Sequence, residues 1–463
     1  MQYTELIFVF LFIPATVILS FLDKSAEYKN LILVLASVLF FTWGKPFAVA
    51  LVFLSVLADW LLGLAAGGLK PRGLRFAAAG VDLLINGALF VVLGWSGLFN
   101  PGQWLGGITA LNVPDSLLPI GMTVWTLRGF SYVYDVYTGR IRSEKNFFCL
   151  LTYMLNFHLM LAGPIVRYGE LSAQIRKRRF SSAQFSKGLT RFVIGLSKIL
   201  IAASALGALR AAGIGTNEDT FFGAWLGILG FIGQFFFTYT GLADLSIGMG
   251  LLFGFTYPEN FAPVSLRGGV SGILSGFNTT LVRLTGDVLL KNKLTAKSKP
   301  IAGLALIAGC VFIALWYAFS RHMLAAGLLA AALIILEQCW LKKKLAALPA
   351  AVSALYSGIA MLAIFALVCF DDKGDLLHWA RMLVGAGTDY LLSVRMKYTF
   401  LSNLAIYAVC AAYVILPVRR AILAFFAAMS KKSPSALSTL RIAGTAATCV
   451  LLLVCAAKMV IVR

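Results

Sequence analysis

The feature that most constrains this chain is the recurrence of apolar runs close to membrane-crossing length. Clear examples are Glu5–Leu22, Leu31–Trp43, Phe47–Ala66, Leu189–Leu206, Ile301–Ala318, Met323–Trp340, Ala346–Phe370, Leu401–Leu416 and Ala443–Val460. A helix needs about 20 such residues to cross the hydrocarbon core, with a range of about 17–25, so the shorter runs are tilted, re-entrant or extended by their flanks. By that length rule the chain carries roughly ten to twelve membrane helices. Composition agrees: 60% of the 463 residues are hydrophobic and only 13% are charged, against about 25% charged in a soluble domain. A β-barrel would show short alternating strands, and these runs do not alternate. The expected fold class is all-α integral membrane, a single polytopic domain over 1–463. It divides into helical hairpins over 1–116, a core over 117–340 and further apolar helices over 341–463. The first run lacks a basic leader and a small-residue cleavage site, and reads as a retained helix.

The net charge of +21 is concentrated in short basic stretches: Arg176–Arg179, Lys291–Lys299, Lys342–Lys344, Arg419–Arg420 and Lys431–Lys432. In a soluble protein that balance would suggest nucleic acid. Between apolar helices it is the positive-inside pattern, which assigns these loops to the cytoplasm and gives them anionic lipid headgroups as partners. No nucleic-acid partner is expected. The acidic loop Asp371–Asp375 follows the run Ala346–Phe370 and falls on the opposite side. Seven cysteines are scattered with no CxxC pair, and most lie in apolar runs, where a thiol behaves as a small hydrophobe. Neither a disulfide framework nor a cysteine-ligated metal is expected.

Ionisable residues that interrupt hydrocarbon mark functional places in membrane proteins. Here they gather in the middle section: Arg128, Asp135, His158, Arg167, Asp244, Glu259, Asp287 and Glu337. Each costs a few kcal/mol in lipid unless it is paired or lines a wet cavity. Two readings compete for each residue: a helix-packing ion pair or interfacial anchor, and the lining of a polar tunnel. Pro119, Gly121, Gly139, Gly163, Pro164, Gly241, Gly248, Gly254 and Pro258 punctuate the same region. Such breaks are tolerated where backbone lines a cavity or packs on neighbouring helices.

The order of the motifs in this region carries a family resemblance. Leu118-Pro119-Ile120-Gly121-Met122-Thr123 is followed by Phe130 to Gly139 and by Leu161-Ala162-Gly163-Pro164-Ile165-Val166-Arg167-Tyr168. After the basic run come Gly241-Leu242-Ala243-Asp244 and Tyr257-Pro258-Glu259-Asn260-Phe261, and Phe41-Thr42-Trp43-Gly44-Lys45-Pro46 belongs to the same set. Together these stretches resemble the membrane-bound O-acyltransferase (MBOAT) family, in the bacterial alginate O-acetyltransferase branch. The resemblance implies helices ringed around a central tunnel, in the bacterial inner (cytoplasmic) membrane. It implies an acyl thioester donor resembling acetyl-CoA, arriving from the cytoplasm, with no resident cofactor and no metal. The acceptor it implies is a hydroxyl of an envelope polysaccharide on the far side. The implied partners are membrane lipid, an extracytoplasmic acetyl-transfer protein or an intact MBOAT paralogue.

The resemblance also places the reaction centre, and there the chain departs from the family. Aligning Asp287 with the family's aspartate sets Phe277-Asn278 on its Trp-His pair, and Leu315-Trp316-Tyr317-Ala318 on its Leu-Trp-His-Gly motif. Asn278 and Tyr317 therefore occupy the catalytic pair's positions, and Tyr317 replaces the histidine. Acyl transfer to a hydroxyl needs a base near neutral pH, which histidine supplies with a pKa of about 6.5. Tyrosine, at about 10, is a donor there. It could act as a base only beside a cation, and Arg321 is the candidate at i+4 on a continuous helix. His322 would sit about 140° round such a helix and about 7.5 Å along it from Tyr317, facing elsewhere. The supporting polar residues are then His158, Arg167, Asp244, Glu259, Asp287 and His322. Three roles stay open on the sequence: an active O-acyltransferase, a catalytically degenerate relative serving as scaffold or partner subunit, and a channel or transporter. The last would favour an internal repeat, and none is visible.

Overall fold

The computed structural model describes residues 3–43, 48–95, 121–160, 163–178, 180–214, 219–264, 266–291, 295, 297–370, 372–432 and 434–461. Gly44–Phe47, Leu118–Ile120, Leu161, Ala162, Arg179, Lys293 and Asp371, which the sequence reading uses, lie outside the described residues. The fold class is as expected: a multi-pass, all-helical membrane protein. Among the described residues there is no strand, only the isolated bridges Thr220–Tyr390 and Phe261–Phe277. Lipid offers backbone amides no water, so each spanning segment satisfies its own hydrogen bonds as a helix.

Among the described residues eight helices are long and apolar enough to cross a membrane, or nine if Leu404–Val414 and Val418–Met429, bent by 89°, form one broken span. That compares with roughly ten to twelve expected from run length. Arg72–Val91 and Phe221–Leu252 are spans that the clear apolar runs did not include. The first is diluted by Arg72, Arg75, Asp82 and Asn86, the second by Gln234, Tyr239, Asp244 and several glycines. Conversely, the middle of the chain spends its apolar residues on short helices, Phe147–Met154, Gly269–Gly276 and Thr279–Thr285.

The chain falls into two compact units interleaved in sequence. The first comprises Met1–Phe192 and Leu242–Pro258, the second Val193–Gly241 and Glu259–Arg463. In the first, the helices Ala48–Gly68, Arg72–Trp95 and Met122–Tyr137 pack against one another. Small residues permit the approach: a Cβ added at Gly63 would lie 2.5 Å from the Tyr132 ring, and one at Gly67 2.8 Å from Ser143 Oγ. Close backbone packing of this kind holds membrane helices together where no hydrophobic driving force exists between them.

In the second unit, Lys299–Tyr317 and Arg321–Leu336 form an antiparallel pair, and Ala350–Cys369 packs on the latter. The chain turns at Ala318, which is extended, and Ser320 caps the next helix by accepting from Met323 N at 3.1 Å. The short helix Gly269–Gly276 starts against a π-turn, Glu337–Leu341. Its first amides, Val270 N and Ser271 N, donate to the buried Glu337 carboxylate at 2.7 and 3.0 Å. Gly269 has φ 68°, and a Cβ there would lie 2.6 Å from Glu337 Oε1, so only glycine suits the joint. A carboxylate at a helix N-terminus meets both orphan amides and the positive end of the dipole. Of the two readings for Glu337, the structure supports the packing one.

Glu337→Ala is expected to leave the buried Val270 amide and the half-buried Ser271 amide without a partner and to cost about 1–3 kcal/mol. A lowered thermal unfolding temperature in detergent measures it, with Glu337→Gln losing less. An unchanged unfolding temperature in Glu337→Ala would contradict the capping role.

Candidate functional site

The two catalytic-pair positions lie far apart in sequence and meet in the second unit. Asn278 sits at the joint between the short helices Gly269–Gly276 and Thr279–Thr285, with φ 56°. Asparagine tolerates this left-handed conformation better than other residues with a side chain. Its Oδ1 caps the second helix, accepting from Leu281 N at 3.4 Å. The Glu259-Asn260-Phe261 loop is stitched onto this joint. Thr279 N donates to Asn260 O at 2.8 Å, Thr280 Oγ1 to Asn260 Oδ1 at 2.7 Å, and Thr279 Oγ1 to Glu259 O at 2.8 Å. The rings of Phe261 and Phe277 meet edge to face at 4.7 Å.

Tyr317 ends its helix in an aromatic cage. Its ring centroid lies 4.7 Å from Tyr239, 5.0 Å from Trp316, 5.5 Å from Phe235 and 5.9 Å from Phe277. The hydroxyl is buried with no hydrogen bond of ordinary geometry among the described residues, and Asn278 is the polar side chain within its range. The joint thus brings Phe277, Asn278 and Tyr317 together. The expectation that Arg321 shares a helical face with Tyr317 is corrected: the helix stops at Tyr317, so the i+4 relation does not hold across extended Ala318. The helical angle computed for His322 fails for the same reason. Arg321 Nε instead donates to His322 Nε2 at 3.1 Å, at the start of the next helix. Asp287 pairs with Lys291 at 2.9 Å, and the Glu259 side chain is exposed.

The first unit holds the remaining sequence candidates. His158 is fully buried on a short 3-10 turn, Phe157–Leu159, where Nε2 shares a hydrogen bond with the Tyr257 hydroxyl. Its ring stacks near Phe253 at 5.7 Å and Tyr257 at 5.6 Å. Arg128, also fully buried, donates to Tyr153 O, and its guanidinium lies 4.2 Å over the Tyr153 ring. Arg178, just outside the spans, stands 4.4 Å over Phe255 and donates to Asn30 Oδ1, and burial pulls its guanidinium down to about 10. Arg167 pairs with Asp135 at 2.8 Å, and Asp244 with Arg191 at 2.9 Å. These two ion pairs tie neighbouring segments to one another.

Sequence reasoning missed Glu144. It lies in the loop before Phe147–Met154, buried, and its carboxylate accepts from Tyr168 Oη, Arg176 and Asn146 N. Its own N–H donates to Tyr132 Oη and its carbonyl accepts from Trp60 Nε1, both at 2.9 Å. Burial pushes this carboxyl up, but the three donors outweigh it and hold it below the ordinary value. A lone glutamate in a polar loop carries no sequence signal, since Tyr168 and Arg176 reach it from the later helix Tyr168–Arg176 and Trp60 from an earlier one.

The comparisons with known proteins concern the whole of this arrangement. No family model matches the chain. The probable alginate O-acetylase AlgI of Pseudomonas aeruginosa is 32% identical over 267 residues, covering 56% of this chain and 51% of that protein. The Pseudomonas putida protein of the same name is 31% identical, covering 56% of this chain and 55% of its own. The chain is similar to bacterial O-acetyltransferases. A peptidoglycan O-acetyltransferase of Helicobacter pylori, 25% identical over 289 residues, covers 55% of this chain and 54% of its own length. The chain thus spans about half the length of the curated relatives it matches.

Glu144 gives a pH prediction. A depressed carboxyl stabilises the fold above its unfolded pKa, about 4.3, and that contribution is lost as pH falls through the lower folded value. Glu144→Gln is expected to unfold at lower temperature at pH 7 and to converge on the native chain in strong acid. Parallel curves for the two proteins, measured by thermal unfolding from pH 7 down to 3, would contradict it.

Proposed function

We propose that the chain is an MBOAT-type membrane protein of polysaccharide O-acetylation whose own reaction centre is silent. In this reading it serves as a scaffold or partner subunit of an intact acyltransferase in the bacterial inner membrane. The observation that carries it is the chemistry at Tyr317. Acyl transfer from a thioester requires a group that takes the acceptor's proton as the new ester bond forms. At the position of the family histidine stands a phenol caged by four aromatic rings, on a helix that stops before Arg321 can share its face. Asn278 spends its oxygen on the helix that follows it. The similarity to alginate and peptidoglycan O-acetyltransferases supports the reaction class, O-acetylation of an envelope polysaccharide; in this reading a cytoplasmic acetyl thioester is the donor.

A second reading, an active O-acetyltransferase, is favoured by one observation: His158 is a buried imidazole already hydrogen-bonded to a tyrosine. The two readings separate in one experiment. Membranes carrying the chain are supplied with labelled acetyl-CoA and polysaccharide, and transfer is measured for the native protein, Tyr317→His and His158→Ala. The silent reading expects no transfer by the native chain and co-purification of a second acyltransferase. Transfer by the native chain, lost in His158→Ala, would establish the second reading instead. Transfer by Tyr317→His alone would locate the silencing at that one side chain.

A further inference from the structure

The N-terminal hairpins are not plain. Asp59 lies in the helix Ala48–Gly68 and Asp82 in Arg72–Trp95, both of membrane-crossing length, and the two residues are 1% and 0% exposed. Asn86, one turn beyond Asp82, is 3% exposed. Its Nδ2 reaches Asp59 Oδ1 at 2.9 Å and Asp82 Oδ1 at 3.3 Å, bridging the two acids. The two carboxyl groups are themselves within hydrogen-bonding range. Four oxygens around this bridge have no hydrogen-bond partner among the described residues: Asp59 Oδ2, Asp82 Oδ2, Asn86 Oδ1 and Ser55 Oγ. Ser55 is 4% exposed and stands one turn before Asp59, on the same helical face. The third wall is Gly129, where any Cβ would overlap the Asp59 carboxylate.

No cation among the described residues answers these acids. Arg128, beside Gly129, turns to Tyr153, and Arg75 is held by the Ala66 and Tyr137 carbonyls. Tyr132, on the helix Met122–Tyr137, is the other titratable side chain facing Asp59, and its oxygen accepts from Glu144 N. The helices Phe147–Met154 and Ala26–Thr42 also pack on this hairpin. Their titratable groups are engaged elsewhere: Tyr153 donates to Val166 O, Cys149 lies by Glu144 and Arg176, and Lys29 lies by Arg178 and Asp23. Two like charges side by side among apolar helices do not both ionise. A donor amide pointing inward suits a carboxyl pair and repels a metal cation.

We propose that Asp59 and Asp82, bridged by Asn86, form an intramembrane proton-binding site that retains an exchangeable proton at neutral pH. The ligand is a proton, and the site is separate from the acyl-transfer reading.

Infrared spectra of the full chain in lipid nanodiscs test it. A protonated-carboxyl C=O band is expected at neutral pH, shifted in D2O and by carboxyl-13C aspartate, and lost in Asp59→Asn/Asp82→Asn. On the native chain, dicyclohexylcarbodiimide adds the carboxyl O–H across a C=N bond. The adduct is expected, by peptide mass, on Asp59 or Asp82. The absence of any aspartic-acid band at neutral pH overturns the proposal, whether or not the variant folds. So does a band that persists in the folded double variant. A band that disappears when sodium replaces choline overturns it too, since the site would then hold a metal cation.

Discussion

A polar group among apolar helices has lipid instead of water around it, and must find its partner within the protein. Most features of this structure answer that demand. Arg167 has Asp135, Asp244 has Arg191, and Glu337 takes the first amides of Gly269–Gly276. Glu144 gathers donors from Tyr168, Arg176 and Asn146. Breaking one such arrangement leaves a buried charge or amide stranded, which costs more than the bond itself contributed. These contacts fix where the short helices start and how the loops between spans are seated.

The reaction-centre positions follow the same logic with a different outcome. The Glu259-Asn260-Phe261 loop is pinned by its backbone and by Thr279 and Thr280, so Phe277 and Asn278 are held firmly. What they are held against is aromatic. Edge-to-face packing of Tyr317 with Tyr239 and its neighbours rewards a ring at that position and offers no acceptor for its hydroxyl.

Much of this was legible in the sequence, and the parts that were not have identifiable reasons. Long uncharged runs such as Ala350–Cys369 announce themselves by hydropathy alone. Phe221–Leu252 did not, because its tyrosine, threonines, glutamine and glycines dilute a single continuous helix. The proximity of Asn278 to Tyr317 was readable through family resemblance, whereas the bend at Ala318 that removes Arg321 from that face was not. Asp59 lay inside an apolar run and was read as part of a plain hairpin. Its significance depends on Asp82 and Asn86 of the next helix arriving at the same depth.

The sequence by itself determined the solvent and the helical class, because these depend on residue type and local order. Tertiary structure decided which polar groups are satisfied. It assigned Arg167 and Asp244 to ion pairs, made Glu337 a cap, caged Tyr317, and left the Asp59–Asp82 pair without a cation among the described residues. The physical reason is that satisfaction is a property of pairs. A side chain's charge is written in the chain, but the dielectric around it and the partner facing it exist only once distant segments have packed.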